Sequence, residues 1–146
     1  MATIVVGVDG SEGSLQALRF AAGEARLRGA RLHAVLAWEY PAALYAGEGW
    51  AFADSETLEG LRTRAEQRLA EAIEAVGPSL EGVELEQSVV EGRAAAVLLE
   101  AAKDADLLVV GTRGHGGFVG LLLGSVSQQC VHHASCPVVV VPPARS

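Results

Sequence analysis

The chain has 146 residues, half of them hydrophobic, and a formal net charge of −7. That length suits one domain with a core large enough to fold without disulfides. One lysine, Lys103, and ten dispersed arginines argue against the clustered basic face of a nucleic-acid binder, and no apolar run reaches the roughly 20 residues that cross a bilayer.

Along the chain, "TIVVGVD" (Thr3–Asp9) is apolar and β-branched and reads as a buried strand. It lacks the basic flank and small-residue cleavage site of a signal peptide, so a cytoplasmic protein is expected. Ser11 is placed to cap the following helix, whose apolar face is expected at Leu15, Leu18, Ala22, Ala25 and Leu27. Gly29 suits its C-terminal end. "RLHAVLAW" (Arg31–Trp38) is a second strand, with His33 read as structural. "EYPAALYAGEGWAFAD" then forms a connection longer than simple linkage requires, as functional loops often are. From Ser55 onward, Leu58, Leu61, Ala65, Leu69, Ala72, Ile73 and Val76 mark an amphipathic helix stopped by Gly77-Pro78.

"GVELEQSVVEG" alternates Val83 and Leu85 with Glu84 and Glu86, the pattern of a strand with one wet face at a sheet edge. "RAAAVLLEAAKDA" (93–105) is a third helix and "DLLVVG" a wholly apolar strand. After a glycine-rich loop, "SVSQQCVHHA" is a fourth helix with Ser125 as its expected cap. "CPVVVVPP" is the last strand. Cys130 and Cys136 lack a redox-motif spacing and read as free thiols near the core. His132 and His133 are adjacent on a helix, so they face different sides and do not share a metal.

Strict alternation of strands and helices, with continuous apolar strands, predicts an α/β fold in one domain, residues 1–146. It is a five-stranded parallel sheet, an open sandwich with helices on both faces, in strand order 3-2-1-4-5. Ligands in such sheets bind beyond the carboxyl ends of the strands where the order reverses. Here that crevice lies between "GVDGS" (Gly7–Ser11) and "GTRGHGG" (Gly111–Gly117).

The stretch "GTRGHGGFVGLLLGS" (111–125) carries six glycines. It has no lysine, so it is not a P-loop, and it lacks the GxGxxG dinucleotide spacing. Gly124-Ser125 opens a helix, whose N-terminus presents unpaired N–H groups and a positive dipole end to an anion. Gly111 and Gly114 are expected to let the backbone approach a ligand closely. Arg113 is the nearest fixed cation, so a triphosphate here needs backbone N–H groups and a divalent metal. Phe118, Leu121, Leu122 and Leu123 are expected to pack beneath the loop. The apolar "PVVVV", as an edge strand, invites pairing with a second copy.

Gly111-x-x-Gly114, nine residues, then Gly124-Ser125 resembles the G-2x-G-9x-G-[S/T] signature of the universal stress protein family. "VVGVDGSEGS", "AWEYP" and the C-terminal "GSVSQQCVHHASCPVVVVP" are similar to that family too, across nearly the whole chain. The resemblance implies a Rossmann-like, adenine nucleotide alpha hydrolase-like fold. It also implies ATP, with Mg2+ or Mn2+, in the strand 1/strand 4 crevice, and a homodimer through the last strand, Pro137–Pro142. It assigns Gly7 and Asp9 to the neighbourhood of the nucleotide and the Ala37 backbone to the adenine edge. Gly111, Thr112, Arg113, Gly114, His115 and Gly116 would wrap ribose and phosphates. Gly124, Ser125, Val126 and Ser127 would bind phosphate at the helix start. The expected role is a nucleotide-binding stress or signalling module. Its alternatives are a slow ATPase or autophosphorylating protein, and a dimeric scaffold that binds no nucleotide. No base and arginine-finger pair is visible in the sequence, so turnover is expected to be weak at most.

Overall fold

The densest aliphatic runs become the inner strands, and the residues that interrupt them set where each strand stops. The computed structural model describes residues 1–39, 55–112 and 124–143, and only the backbone of 55–57. In chain order the elements are β1 (Thr3–Gly7), α1 (Glu12–Arg28), β2 (Arg31–Trp38), α2 (Ser55–Ala75), β3 (Leu85–Glu91), α3 (Ala94–Ala101), β4 (Leu107–Gly111), α4 (Ser125–His133) and β5 (Val138–Val141). A 3-10 turn at Gly77–Leu80 follows α2. The strands form one sheet in the order β3-β2-β1-β4-β5, and every neighbouring pair is parallel. This is the expected topology, with the reversal of order between β1 and β4.

Because strand side chains alternate between faces, β1 feeds two cores. Ile4 and Val6 join Leu32, Leu36, Leu107 and Val109 beneath α1 and α2. Val5 joins Val35, Leu108 and Val110 against Val97 and Leu98 of α3 and Cys130 of α4. Each strand near the centre of the sheet is therefore covered on both sides, which is why its sequence is apolar at consecutive positions.

In α1 the buried residues are Ser14, Ala17, Leu18, Ala21, Ala22 and Ala25, spaced three and four apart along one stripe. The sequence expectation that Leu27 belongs to this face is corrected: it is 83% exposed. Nine residues beyond Leu18, it lies half a turn around the helix from it. Gly29 caps the helix at φ +62°, as expected, a conformation that costs glycine no Cβ clash. In α2, Ala65, Leu69 and Ala72 are buried, and so is Val76 just past its end. Arg26 ties the following turn down by donating to the carbonyls of Ser79 and Glu81.

Other boundaries differ from the sequence reading too: β3 begins at Leu85 rather than Gly82, because the Val83 N–H closes a turn onto the Leu80 carbonyl. β1 ends at Gly7 rather than Asp9, because the Asp9 N–H turns to the Ser14 hydroxyl. α3 ends at Ala101 rather than near Ala105. Lys103 and Ala105 there donate to the carbonyls of Glu100 and Ala102, the tighter pattern of a closing turn. At α4 the N-cap is Gly124, in extended conformation at φ −78° and ψ 169°, and Ser125 is already the first helical residue. β3 lies at the sheet edge as expected, with the exposed Glu84 paired to Arg31. Among the described residues, no helix is long and apolar enough to cross a membrane. The long connection through residues 40–54 and the apolar residues Phe118, Leu121, Leu122 and Leu123 lie outside the described residues.

Candidate functional site

The reversal of strand order leaves the carboxyl ends of β1 and β4 side by side, with the next helix leaving each in opposite directions. Val6 pairs with Val109 and Gly7 with Val35. Asp9 just past β1, Ala37 near the end of β2 and Thr112 just past β4 all lie at the same rim of the sheet. Three of the residues singled out in the sequence are thus brought to one edge by the topology.

The β1 side of the crevice is a locally bonded turn. Asp9 accepts the N–H of Ser11 at 2.8 Å through Oδ1, an Asx-type turn. The Asp9 N–H donates to Ser14 Oγ at 3.2 Å, and the Ser14 hydroxyl donates to the Ser11 carbonyl at 3.0 Å. Ser11 in turn caps α1 by accepting the Ser14 N–H at 3.2 Å. Ser14, 5% exposed, is therefore the side chain that holds Asp9 at the rim. Sequence reasoning passed over it. The available signal was its position three residues after the cap, the spacing of reciprocal capping interactions.

Gly7 and Gly111 share one physical requirement. A Cβ at Gly111 would stand 2.9 Å from the Gly13 carbonyl oxygen and 3.0 Å from its carbon. The bare Cα here admits the first turn of α1. A Cβ at Gly7 would meet Leu98 Cδ1 at 2.7 Å. Both glycines let helices close onto the strand ends that frame the crevice. Gly13, absent from the sequence reading, is the partner in the contact made by backbone, which cannot turn aside as the Leu98 side chain can.

The β4 side is built around Thr112. Its N–H donates to the Val141 carbonyl of β5 at 3.2 Å, and its own carbonyl accepts the Gly124 N–H. The same carbonyl faces the Ser127 hydroxyl at 3.0 Å. This pins the start of α4 to the end of β4. Helix geometry leaves the N–H groups of Ser125, Val126 and Ser127 without an intrahelical acceptor. Gly124 has no side chain to cap them, and no acidic residue sits in the first turn. Among the described residues no side chain caps the positive end of the helix, which suits an anion. Ser125 is exposed, Val126 is half-buried, and Ser127 is buried. Ala37 is partly buried near the end of β2, paired with Val90. Arg113, Gly114, His115 and Gly116 lie outside the described residues.

The donor chemistry suits phosphate better than a protein-held metal. Among the described residues, no group of three or more His, Cys, Asp or Glu could hold an ion, and His132 and His133 are both exposed at the end of α4. His33 fits its structural reading, with Nε2 2.7 Å from Ser88 Oγ.

The match to the family model named "Universal stress protein family" spans residues 1–142. The chain belongs to the universal stress protein family. A universal stress protein from Thermus aquaticus is 42% identical over 95% of this chain and 97% of its own length. Universal stress protein Rv1996 of Mycobacterium tuberculosis is 35% identical, and this chain spans half its length. Among solved structures, a universal stress protein in complex with cAMP is 30% identical, with a TM-score of 0.68 over 98% of both chains. One from Archaeoglobus fulgidus in complex with dAMP is 25% identical, with a TM-score of 0.69 over 97% of this chain and 98% of its own. Adenine nucleotides are thus the ligands of two relatives with this fold.

Proposed function

We propose that this universal stress protein domain holds an adenine nucleotide in the crevice between β1 and β4, with ATP as the principal ligand. The observation that carries the reading is the uncapped first turn of α4, fixed to the end of β4 beside Asp9. Phosphate oxygens accept from the N–H groups of Ser125, Val126 and Ser127. Asp9, a carboxylate, repels phosphate and instead suits the hydroxyl and amino donors of ribose and adenine. Ala37 lies at the same rim as Asp9 and offers a backbone edge to the base. Gly111 and Thr112 supply the frame, and Arg113, Gly114, His115 and Gly116 complete the site in the family signature. A divalent ion, Mg2+ or Mn2+, would be carried in with the triphosphate, held mainly by phosphate and water oxygens.

The domain acts by occupancy, as a dimeric module in stress response or signalling. β5 supports the dimer: it is the outer strand beside β4, and its four valines are only half-buried. Such an edge is satisfied by pairing with a second copy.

Mass spectrometry of small molecules released from the purified protein tests the ligand, with calorimetric titration of ATP, AMP and cAMP. Recovery of an adenine nucleotide, or saturable binding of ATP, is the expected result. An empty protein that binds none of the three at millimolar concentration overturns the reading. Sedimentation of wild type and Val139→Lys tests the dimer. Wild type is expected to be dimeric and the variant monomeric, and a monomeric wild type refutes the assignment of β5.

A further inference from the structure

Among the described residues, two polar side chains are buried, Ser14 and Ser127. Ser14 orders the β1 turn. Ser127, 2% exposed, has a different setting. Its one hydroxyl proton faces two carbonyl oxygens, those of Thr112 and Gly124, each 3.0 Å away.

Most helices are fixed at the start by an N-cap side chain that accepts the N–H of the second or third residue. At α4 such a cap would consume the N–H groups an anion needs. Gly124 provides none, so the first turn must be anchored in some other way. The Gly124 N–H and the Ser127 hydroxyl do this together, both donating to the Thr112 carbonyl on the β4 side. A donor takes up none of the first-turn N–H groups. The anchor point is itself rigid, because the Thr112 N–H is bonded into β5 at Val141.

We infer that Ser127 is a positioning residue for the phosphate end of the site. Its buried hydroxyl fixes the first turn of α4 against the Thr112 carbonyl, so that the N–H groups of Ser125–Ser127 point at phosphate without rearrangement. The family resemblance assigns Ser127 to phosphate contact. The geometry limits that contact to its backbone N–H and gives the hydroxyl an internal task. This inference rests on the adenine-nucleotide reading above.

The test is calorimetric titration of wild type, Ser127→Ala and Ser127→Thr with ATP and with adenosine, alongside hydrogen exchange of the α4 amides without ligand. Wild type is expected to prefer ATP to adenosine. Ser127→Ala is expected to lose about tenfold in ATP affinity, the worth of roughly one hydrogen bond, with adenosine affinity unchanged. Exchange at Gln128, the first α4 amide with an intrahelical acceptor, should quicken while the sheet amides stay protected, and Ser127→Thr, which keeps the hydroxyl, should restore both. If wild type shows no preference for ATP, the phosphate reading of α4 falls and this inference with it. If wild type prefers ATP and Ser127→Ala binds both ligands as wild type does, or loses both equally, only the positioning role is overturned. A Ser127→Thr variant that folds and exchanges like wild type yet binds ATP like the alanine variant also overturns it.

Discussion

Replacing Ser125 by proline removes one backbone N–H from the first turn of α4 and leaves the rest of the helix in place. Proline is well suited to the first helical position, where the N–H has no intrahelical acceptor and φ near −65° is already required. The residue before a proline must be extended, and Gly124 already is, at φ −78° and ψ 169°. The substitution should therefore leave thermal stability near that of wild type. Binding is another matter. A hydrogen bond to a charged group contributes about 1.5–3 kcal/mol, so loss of one N–H to phosphate should weaken ATP about tenfold to a hundredfold. Adenosine, without phosphate, should bind as before. Ser125→Ala is the control, because it removes the hydroxyl and keeps the N–H. Calorimetric titration of the three proteins with ATP and adenosine reads the difference. Wild-type ATP affinity in Ser125→Pro, or equal losses in the proline and alanine variants, would refute backbone donation as the source of phosphate affinity.

Further outcomes concern the frame. Gly111→Ala forces a Cβ against the Gly13 carbonyl at 2.9 Å. Backbone must then move, at a cost of about 2–3 kcal/mol, which lowers Tm by roughly 4–12 °C in a thermal melt. Gly7→Ala meets only the flexible end of Leu98 and should cost less, about 1 kcal/mol; equal losses would show that Leu98 cannot turn aside. Burial, and secondarily Cys136, pushes the Cys130 thiol from its ordinary 9.0 up to about 11. Between pH 9 and 11 the unfolded chain has lost that proton and the folded chain keeps it, so stability should fall as pH rises. Denaturant titrations across this range should show a shallower fall in Cys130→Ala than in wild type, and parallel curves would contradict the assignment.

The sequence made the architecture legible because its central strands are buried on both faces. Arg31–Trp38 is apolar at consecutive inner positions, and the strand observed has those same ends. Edge strand β3 announced itself by the alternation Val83-Glu84-Leu85-Glu86, although the first two of these residues precede the strand. What periodicity alone could not convey was competition from side chains for backbone groups. Asp9 leaves β1 because Ser14 captures its N–H, a bond between residues five apart that no hydrophobic pattern encodes. Leu27 was misplaced because its apolar character was weighed ahead of its angle around the helix. Gly111 was read as room for a ligand, but its bare Cα meets Gly13, a contact that depends on how α1 settles across β4. The spacing Gly124-Ser125 marked the start of α4 correctly, yet the cap fell one residue earlier. The hydroxyl of Ser127 turned inward, as burial decided once the helix was packed.

The hydrogen bond from the Gly124 N–H to the Thr112 carbonyl also separates the sheet from whatever joins these two residues. Any segment leaving Thr112 must return to the same point, whatever its length. Loop closure costs only about 0.6 kcal/mol more for each doubling of a flexible segment. The junction is therefore a natural socket. A foreign sequence can be exchanged between Thr112 and Gly124, or new chain termini opened there, while β4 and α4 remain stitched by a bond that the inserted residues do not make.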